Sequence, residues 1–257
     1  MQVTINKNGK ENKFTLINSW EDVTLETYAK LISYKKKSNT DEAYMLIQAM
    51  SDIPKKFAEA LSLHDITQVL SNMVDIQTME DTALKDIITL EDKEYGFHPN
   101  LDEITLGEYA DLEHFMEDGY INYLPEIMAV LYRPVIKKDG KDYTIEAYNG
   151  KIEERKKIFR NMKANEVQTA LVFFLEFRKR VINDFAIIFD ENQTDETKIK
   201  YNGDFANKWG WFGVMYRLTE GKIVSLEKIA KLELLECLTW LSYEIDLQEQ
   251  NKVQING

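Results

Sequence analysis

The chain has 257 residues, of which 44 % are hydrophobic and 30 % charged, and its formal net charge is −12 at pH 7. This composition is typical of a globular protein, and the acidic balance argues against general nucleic-acid binding, which needs basic side chains to displace counterions. Cys237 is the single cysteine of the sequence, so no internal disulfide can form, and its apolar helical surroundings predict a small buried side chain. The N-terminus carries no apolar signal region, and the longest apolar runs are too short to span a bilayer.

The first elements predict a β-hairpin followed by short helices. Residues 2–17 alternate apolar and polar side chains around Asn8-Gly9, a dipeptide that is the strongest short signal for a hairpin turn. Thr24 then has the character of a helix N-cap, and the residues after it carry an amphipathic stripe. Further helices are predicted near 41–50, after Pro54 and from Leu63 onward.

One pattern occurs twice in the chain. Val23-Thr24-Leu25-Glu26-Thr27-Tyr28-Ala29-Lys30-Leu31 aligns with Ile104-Thr105-Leu106-Gly107-Glu108-Tyr109-Ala110-Asp111-Leu112 at an offset of 81 residues (105 − 24). The apolar segments 43–50 and 124–131 continue this alignment without a gap. In the second copy, Thr105 and Glu108 have the spacing of a capping box, which satisfies two backbone donors at a helix start. We infer two related helical units.

The remaining segments are taken in order. Residues 87–90 are read as a strand, 91–94 as a charged turn, and 95–100 as a turn-rich approach to the second copy. A second hairpin is predicted near 133–148, and the first copy has no counterpart to it. Helices are predicted at about 151–162 and 164–182, followed by an acidic linker at 190–197 and an aromatic segment at 205–216. The last helix is expected to begin at Ser225, and its start partly echoes the repeated pattern.

These elements predict a mainly α protein with β-hairpins, of the α+β class. The predicted organisation is an N-terminal β-hairpin (1–19), a first helical unit (20–100), a second helical unit with the inserted hairpin (101–184), and a region of linker, aromatic segment and C-terminal helix (185–257).

No catalytic or cofactor-binding pattern was found in the sequence. The glycines form no phosphate-binding loop, no G-x-S-x-G elbow is present, and the histidines at 64, 98 and 114 lack the spacing of metal ligands. Adjacent carboxylates such as Glu21-Asp22 precede helices, where they complement the helix dipole. The sequence therefore predicts a protein that is not an enzyme, with no catalytic residues, no cofactor and no metal.

The aromatic segment 205–216 has three interpretations. It is a packing segment of the core, an anchor for a protein partner, or a surface that stacks on bases, and the acidic linker beside it disfavours the last. Binding is best sought where the two copies differ, in the inserted hairpin and in this segment. The interface candidates are Trp209, Trp211, Phe212, Tyr216, Tyr132, Arg133, Tyr143 and Tyr148.

Several of these motifs occur together in a recognisable combination. They are the Trp20-x-x-Val23-Thr24-Leu25-x-x-Tyr28 helix start, the proline-bounded second helix, Leu131-Tyr132-Arg133-Pro134-Val135, and Met162-Lys163-Ala164 leading into the apolar run 170–174. In this combination, residues 18–182 resemble structural and assembly proteins of tailed bacteriophages, in particular virion proteins of crAss-like phages. These motifs are packing signatures and carry no site residues.

The resemblance implies a virion protein, assembled in the cytoplasm of a bacterial host, that binds copies of itself and neighbouring virion or tail proteins. One expectation is a ring or connector subunit at the portal–tail junction. An acidic surface there could line a DNA channel without sequence-specific binding, because like charge keeps DNA from adhering. The alternative is a tail or baseplate assembly chaperone that is absent from the mature particle. An enzyme would require a convergent polar pocket that the sequence does not display, and a helical adaptor unrelated to phages remains a further alternative.

Overall fold

The N-terminal hairpin begins a first structural unit, whose described residues form two strands and four α-helices. In this computed structural model, which describes residues 1–7, 9–33, 39–72, 83–117, 119–189 and 203–256, strands β1 and β2 pair antiparallel as predicted, with Val3 opposite Phe14. Gly9 lies at their turn with φ +74°, a conformation that favours glycine. The elements are β1 (Gln2–Lys7), β2 (Lys10–Thr15), α1 (Leu25–Ser33), α2 (Asn39–Met50), α3 (Lys55–Ala58) and α4 (Leu63–Ser71).

The second unit has the same plan with an additional hairpin. Its four strands form one antiparallel sheet in the order β3-β4-β5-β6. The elements are β3 (Ile87–Leu90), β4 (Lys93–Phe97), α5 (Leu106–Glu117), α6 (Leu124–Leu131), β5 (Tyr132–Asp139), β6 (Asp142–Ile145), α7 (Glu153–Phe159) and α8 (Ala164–Asp184). Together with the first unit, it confirms the predicted mainly α, α+β class with two related helical units and an inserted hairpin.

Residues 93–97 were expected to belong to turns and instead form strand β4. The turn is only two residues long, because Leu90 pairs with Lys93, and both Glu91 and Asp92 have positive φ angles of 49° and 59°. Gly96 lies in the middle of this sheet, where an added Cβ would come within 2.5 Å of the Tyr143 ring. The glycine that reads as a turn signal therefore permits close packing between strands.

The third part of the chain is helical. Its elements are α9 (Ala186–Phe189), α10 (Gly203–Leu218), α11 (Leu226–Ala230) and α12 (Leu234–Asn256). The prediction of a single helix from Ser225 is wrong, because residues 231–233 form a turn that separates α11 from α12. The predicted linker at 190–197 lies outside the described residues.

The duplication extends beyond the segments that the sequence alignment revealed. Leu16, after β2, forms a bridge with Ser51, and Phe97 at the end of β4 pairs with Tyr132. Both pairs obey the offset of 81 residues (97 − 16 and 132 − 51). In each unit, a residue at or directly after the end of the hairpin's second strand therefore pairs with the residue that follows a helix. These helices are α2 in the first unit and α6 in the second.

The units are joined by two equivalent bridges between helix starts. Thr24 pairs with Lys163 and Thr105 pairs with Glu233. In the first bridge, the amide of Leu25 donates to the carbonyl of Met162 at 2.7 Å, and the amide of Ala164 donates to the carbonyl of Val23 at 2.8 Å. In the second, the amides of Leu106 and Leu234 make the corresponding bonds to Leu232 and Ile104, both at 2.8 Å. The repeated Thr-Leu pattern thus links the start of α1 to the start of α8, and the start of α5 to the start of α12.

Three hydrophobic clusters of the described residues correspond to this organisation, and the smallest, with Val23, Leu31, Met50 and Ala164, lies where the first unit meets α8. The largest core is centred on the second unit and includes residues of α5, α6, α8 and α12. A smaller core lies between the first hairpin and helices α2 to α4. Gly107 allows α5 to approach α11, since an added Cβ there would lie 2.9 Å from the carbonyl oxygen of Ala230.

Candidate protein interface

The aromatic segment forms helix α10, which a glycine divides. Gly210 has φ 42° and ψ −127°, a conformation outside the helical region that residues with a side chain rarely adopt. Trp209, Phe212 and Tyr216 are exposed, and the rings of Trp209 and Phe212 lie 5.6 Å apart. These three predicted interface residues therefore share a solvent-accessible surface.

Trp211 points toward the interior instead. Its ring meets the buried Tyr109 ring edge-on, with centroids 5.0 Å apart, and lies 6.0 Å from Phe189. Tyr109 is the tyrosine of the repeated pattern and lies in α5 of the second unit. Trp211 therefore packs α10 against that unit. Trp211 thus fits the interpretation of segment 205–216 as a core segment, whereas the exposed Trp209, Phe212 and Tyr216 fit its interpretation as an anchor for a partner.

Helix α12 carries further exposed apolar side chains. Trp240, Tyr243 and Leu247 are all exposed on this helix. Glu244 connects it to α10, because its carboxylate accepts hydrogen bonds from Arg217 Nε at 3.0 Å and from Trp240 Nε1 at 3.1 Å. We define the C-terminal aromatic face as Trp209, Phe212, Tyr216, Ile223, Val224, Trp240, Tyr243 and Leu247, all of which are exposed.

A comparison with α8 shows why this face is unusual. The bridges at Lys163 and Glu233 align α8 with α12 at an offset of 70 residues (233 − 163). Ala170 and Phe177 of α8 are buried, whereas their counterparts in α12, Trp240 and Leu247, are 61 % and 43 % exposed. At Phe177, the Tyr109 ring of α5 covers α8, with ring centroids 6.3 Å apart. No equivalent helix covers α12 within the described part of the chain.

The predicted hairpin residues nearest α6 lie inside the molecule. Tyr132 is fully buried and its hydroxyl donates to the carbonyl of Lys85 at 2.8 Å. Arg133 is also buried, and its NH1 lies 2.6 Å from Oε1 of the buried Glu108. Burial lowers the pKa of Arg133, and the carboxylate of Glu108 opposes this shift. These two residues organise the core and leave no side-chain surface for a partner.

Tyr143 and Tyr148 are likewise held by internal hydrogen bonds. The hydroxyl of Tyr143 donates to the carbonyl of Phe97 at 2.8 Å, and burial raises its pKa to about 12. The hydroxyl of Tyr148 donates to a carboxylate oxygen of Asp111, and burial is the main cause of its raised pKa. Tyr143 therefore holds the inserted hairpin against strand β4, and Tyr148 holds the loop after it against helix α5.

A cleft of about 440 Å³ lies between β4 and α8. Phe97, His98 and Tyr143 line one side and Phe173 and Phe177 the other. Burial lowers the pKa of His98, which favours the neutral imidazole. Among the described residues, no three histidine, cysteine or carboxylate side chains are grouped as metal ligands, and no described helix is long and apolar enough to cross a membrane.

Sequence reasoning missed the part of the face that α12 supplies. A signal was present, because Leu234, Leu238 and Leu241 mark one apolar side of this helix, while Trp240, Tyr243 and Leu247 mark another. A helix that is apolar on two sides is expected to be covered on both. Within the described chain, α12 is covered on one.

Comparisons with protein-family models, with curated proteins and with solved structures found no match. Function is therefore inferred from the surfaces of the chain itself.

Proposed function

We propose that this protein is a non-enzymatic structural protein of a phage virion, a subunit of a ring at the portal–tail junction that binds copies of itself and neighbouring virion proteins. The observation that carries the proposal is the C-terminal aromatic face, with eight large apolar side chains exposed on α10, α12 and the segment between them. Exposed apolar side chains that lie together mark protein interaction sites, and aromatic residues dominate the binding energy of interfaces.

The occupant that we propose for this face is a second copy of the chain. In the second unit, the corresponding side of α8 is covered by α5, the helix that carries the repeated Thr-Leu pattern. The third part of the chain has α11 and α12 but no counterpart of α5 among its described residues.

Such a contact is heterologous, since the face of one copy meets a different surface of the next. Heterologous contacts generate closed rings when the rotation between copies closes, which is the arrangement expected of a connector. The formal net charge of −12 makes copies repel one another. Apolar contact must overcome this repulsion, so association is expected to strengthen as salt screens the charge.

The experiment is a measurement of molecular mass in solution by light scattering over a range of concentration and salt. The wild-type chain of 30.1 kDa is expected to form a multiple of that mass, and Trp240→Glu combined with Phe212→Glu is expected to yield the monomer. Ile136→Glu, at an exposed position on the β5–β6 hairpin, is the matched control and should assemble normally. A wild-type monomer under all conditions would contradict self-assembly through this face.

The alternative role as an assembly chaperone uses the same face to hold a partner transiently. A mass-spectrometric inventory of purified particles separates the two roles. The ring subunit is present at a copy number in proportion to the ring, whereas the chaperone is absent.

A further inference from the structure

Three elements of the chain share one local structure, which is a short helix, a tight turn and a longer helix. They are α3–α4, α7–α8 and α11–α12. In each, the last residue of the turn donates its amide to a carbonyl three residues earlier: Leu61 to Ala58, Met162 to Phe159, and Leu232 to Ile229, at 3.0 to 3.1 Å. The residue before it makes the same type of bond in all three, at 3.0 to 3.2 Å.

Two of the three turns are occupied. The turn before α8 receives the first Thr-Leu segment at Thr24, and the turn before α12 receives the second at Thr105. In both, the first residue of the following helix donates its amide to the incoming segment, and its side chain is fully buried: Ala164 and Leu234 are 0 % exposed.

The turn before α4 is open. Leu63 occupies the position of Ala164 and Leu234, and it is 80 % exposed. Its neighbour Ser62 has φ −70° and ψ 159°, close to the φ −69° and ψ 137° of Lys163, so the backbone is already in the bridge-forming conformation. The capping box of α4 uses the amides of Ser62 and Asp65. It leaves the amide of Leu63 without a partner among the described residues.

We propose that this open turn, formed by Leu61, Ser62 and Leu63, binds a separate polypeptide that presents an apolar residue, threonine and leucine immediately before a helix. Two internal bridges show what the turn selects. The threonine stands opposite the turn, the flanking residues exchange two backbone hydrogen bonds with it, and the leucine is buried beside the first residue of the helix. At the open turn, the carbonyl of Leu61 and the amide of Leu63 occupy the positions that make those bonds.

The partner is a different chain because both Thr-Leu segments of this chain are already bound internally. Val23, Leu25, Ile104 and Leu106 are at most 1 % exposed, so releasing either segment for a second copy would open the core. This inference does not depend on the C-terminal aromatic face, which lies on other helices. The two proposals therefore fail independently.

The test adds the missing segment in trans to the full-length protein. The probe is a fluorescein-labelled synthetic peptide of residues 100–117, which contains Ile104-Thr105-Leu106, and binding is followed by fluorescence anisotropy. We expect saturable binding that Leu63→Asp in the protein weakens by about tenfold or more, because it places a carboxylate in the contact. The same loss is expected for the peptide with Leu106→Asp.

A matched control is Leu247→Asp, which alters the C-terminal aromatic face and should change binding by less than about twofold. A disulfide test locates the peptide: the protein with Ser62→Cys should cross-link to the peptide with Thr105→Cys, because paired residues of an antiparallel bridge lie within disulfide range. Thr67→Cys, one turn further along α4, should not. No binding by the wild-type protein, or equal binding by Leu63→Asp, overturns the proposal. A change in the oligomeric mass of the Leu63→Asp protein without peptide also overturns it, because a second copy would then occupy the turn.

Discussion

Truncating the same residue type at two equivalent turns is expected to have very different consequences. Leu234 and Leu63 each begin the longer helix of a helix–turn–helix element, but Leu234 is 0 % exposed and Leu63 is 80 % exposed. A leucine-to-alanine change in a packed core costs about 2–5 kcal/mol, because it removes apolar contact and leaves a cavity. At an exposed position the change is within about 0.5 kcal/mol. We therefore expect Leu234→Ala to destabilise strongly and Leu63→Ala to be close to neutral.

For a chain of this size, each 1 kcal/mol lowers the melting temperature by about 2–4 °C. A loss of about 3 kcal/mol at Leu234 thus corresponds to a decrease of roughly 6–12 °C. The assay is thermal unfolding followed by circular dichroism for both variants and the wild type. Equal decreases for Leu63→Ala and Leu234→Ala would refute the equivalence of the turns and the open state of the first one.

Three further predictions concern the interior. Arg133→Met leaves the buried carboxylate of Glu108 without its partner, so the free energy of unfolding should fall by about 3–5 kcal/mol. The fall should be smaller when Glu108→Gln is added, and urea unfolding measures both variants. Burial lowers the pKa of His98, so as the pH falls the unfolded chain binds a proton that the folded chain does not. The free energy of unfolding should therefore fall by up to about 1.4 kcal/mol per pH unit below about pH 6.5. Urea unfolding midpoints at pH 7, 6 and 5 should show a smaller decline for His98→Asn than for the wild type. Trp211→Ala should lower the free energy of unfolding by about 2 kcal/mol, whereas Trp209→Ala should weaken self-association with little effect on monomer stability, as calorimetry and light scattering will show.

Local signals were sufficient to predict most of the helices and the first hairpin. The Thr24 and Thr105 helix starts follow from capping and periodicity, and Gly9 identifies the β1–β2 turn, so each of these elements depends on residues close in sequence. Strand β4 was not predicted, because glycine is typical of turns. At Gly96, however, the glycine is needed since the Tyr143 ring leaves no room for a Cβ.

The contacts between units could not be predicted from local patterns. The bridge of Thr24 to Lys163 joins residues far apart in sequence, and nothing in the apolar periodicity after Ser225 indicates that the chain turns at Glu233 to meet Thr105. The same limit applies to the interface. Trp209 and Trp211 are the same residue type two positions apart, and the sequence does not tell that Trp211 packs against Tyr109 while Trp209 is exposed.

The most direct test of the account is the mass of the protein in solution, measured by sedimentation velocity at low and high salt. We expect an assembly of several 30.1 kDa chains that is favoured by salt and that Trp240→Glu with Phe212→Glu reduces to a folded monomer. An assembly that these two substitutions leave intact would contradict the central claim that the C-terminal aromatic face joins the subunits.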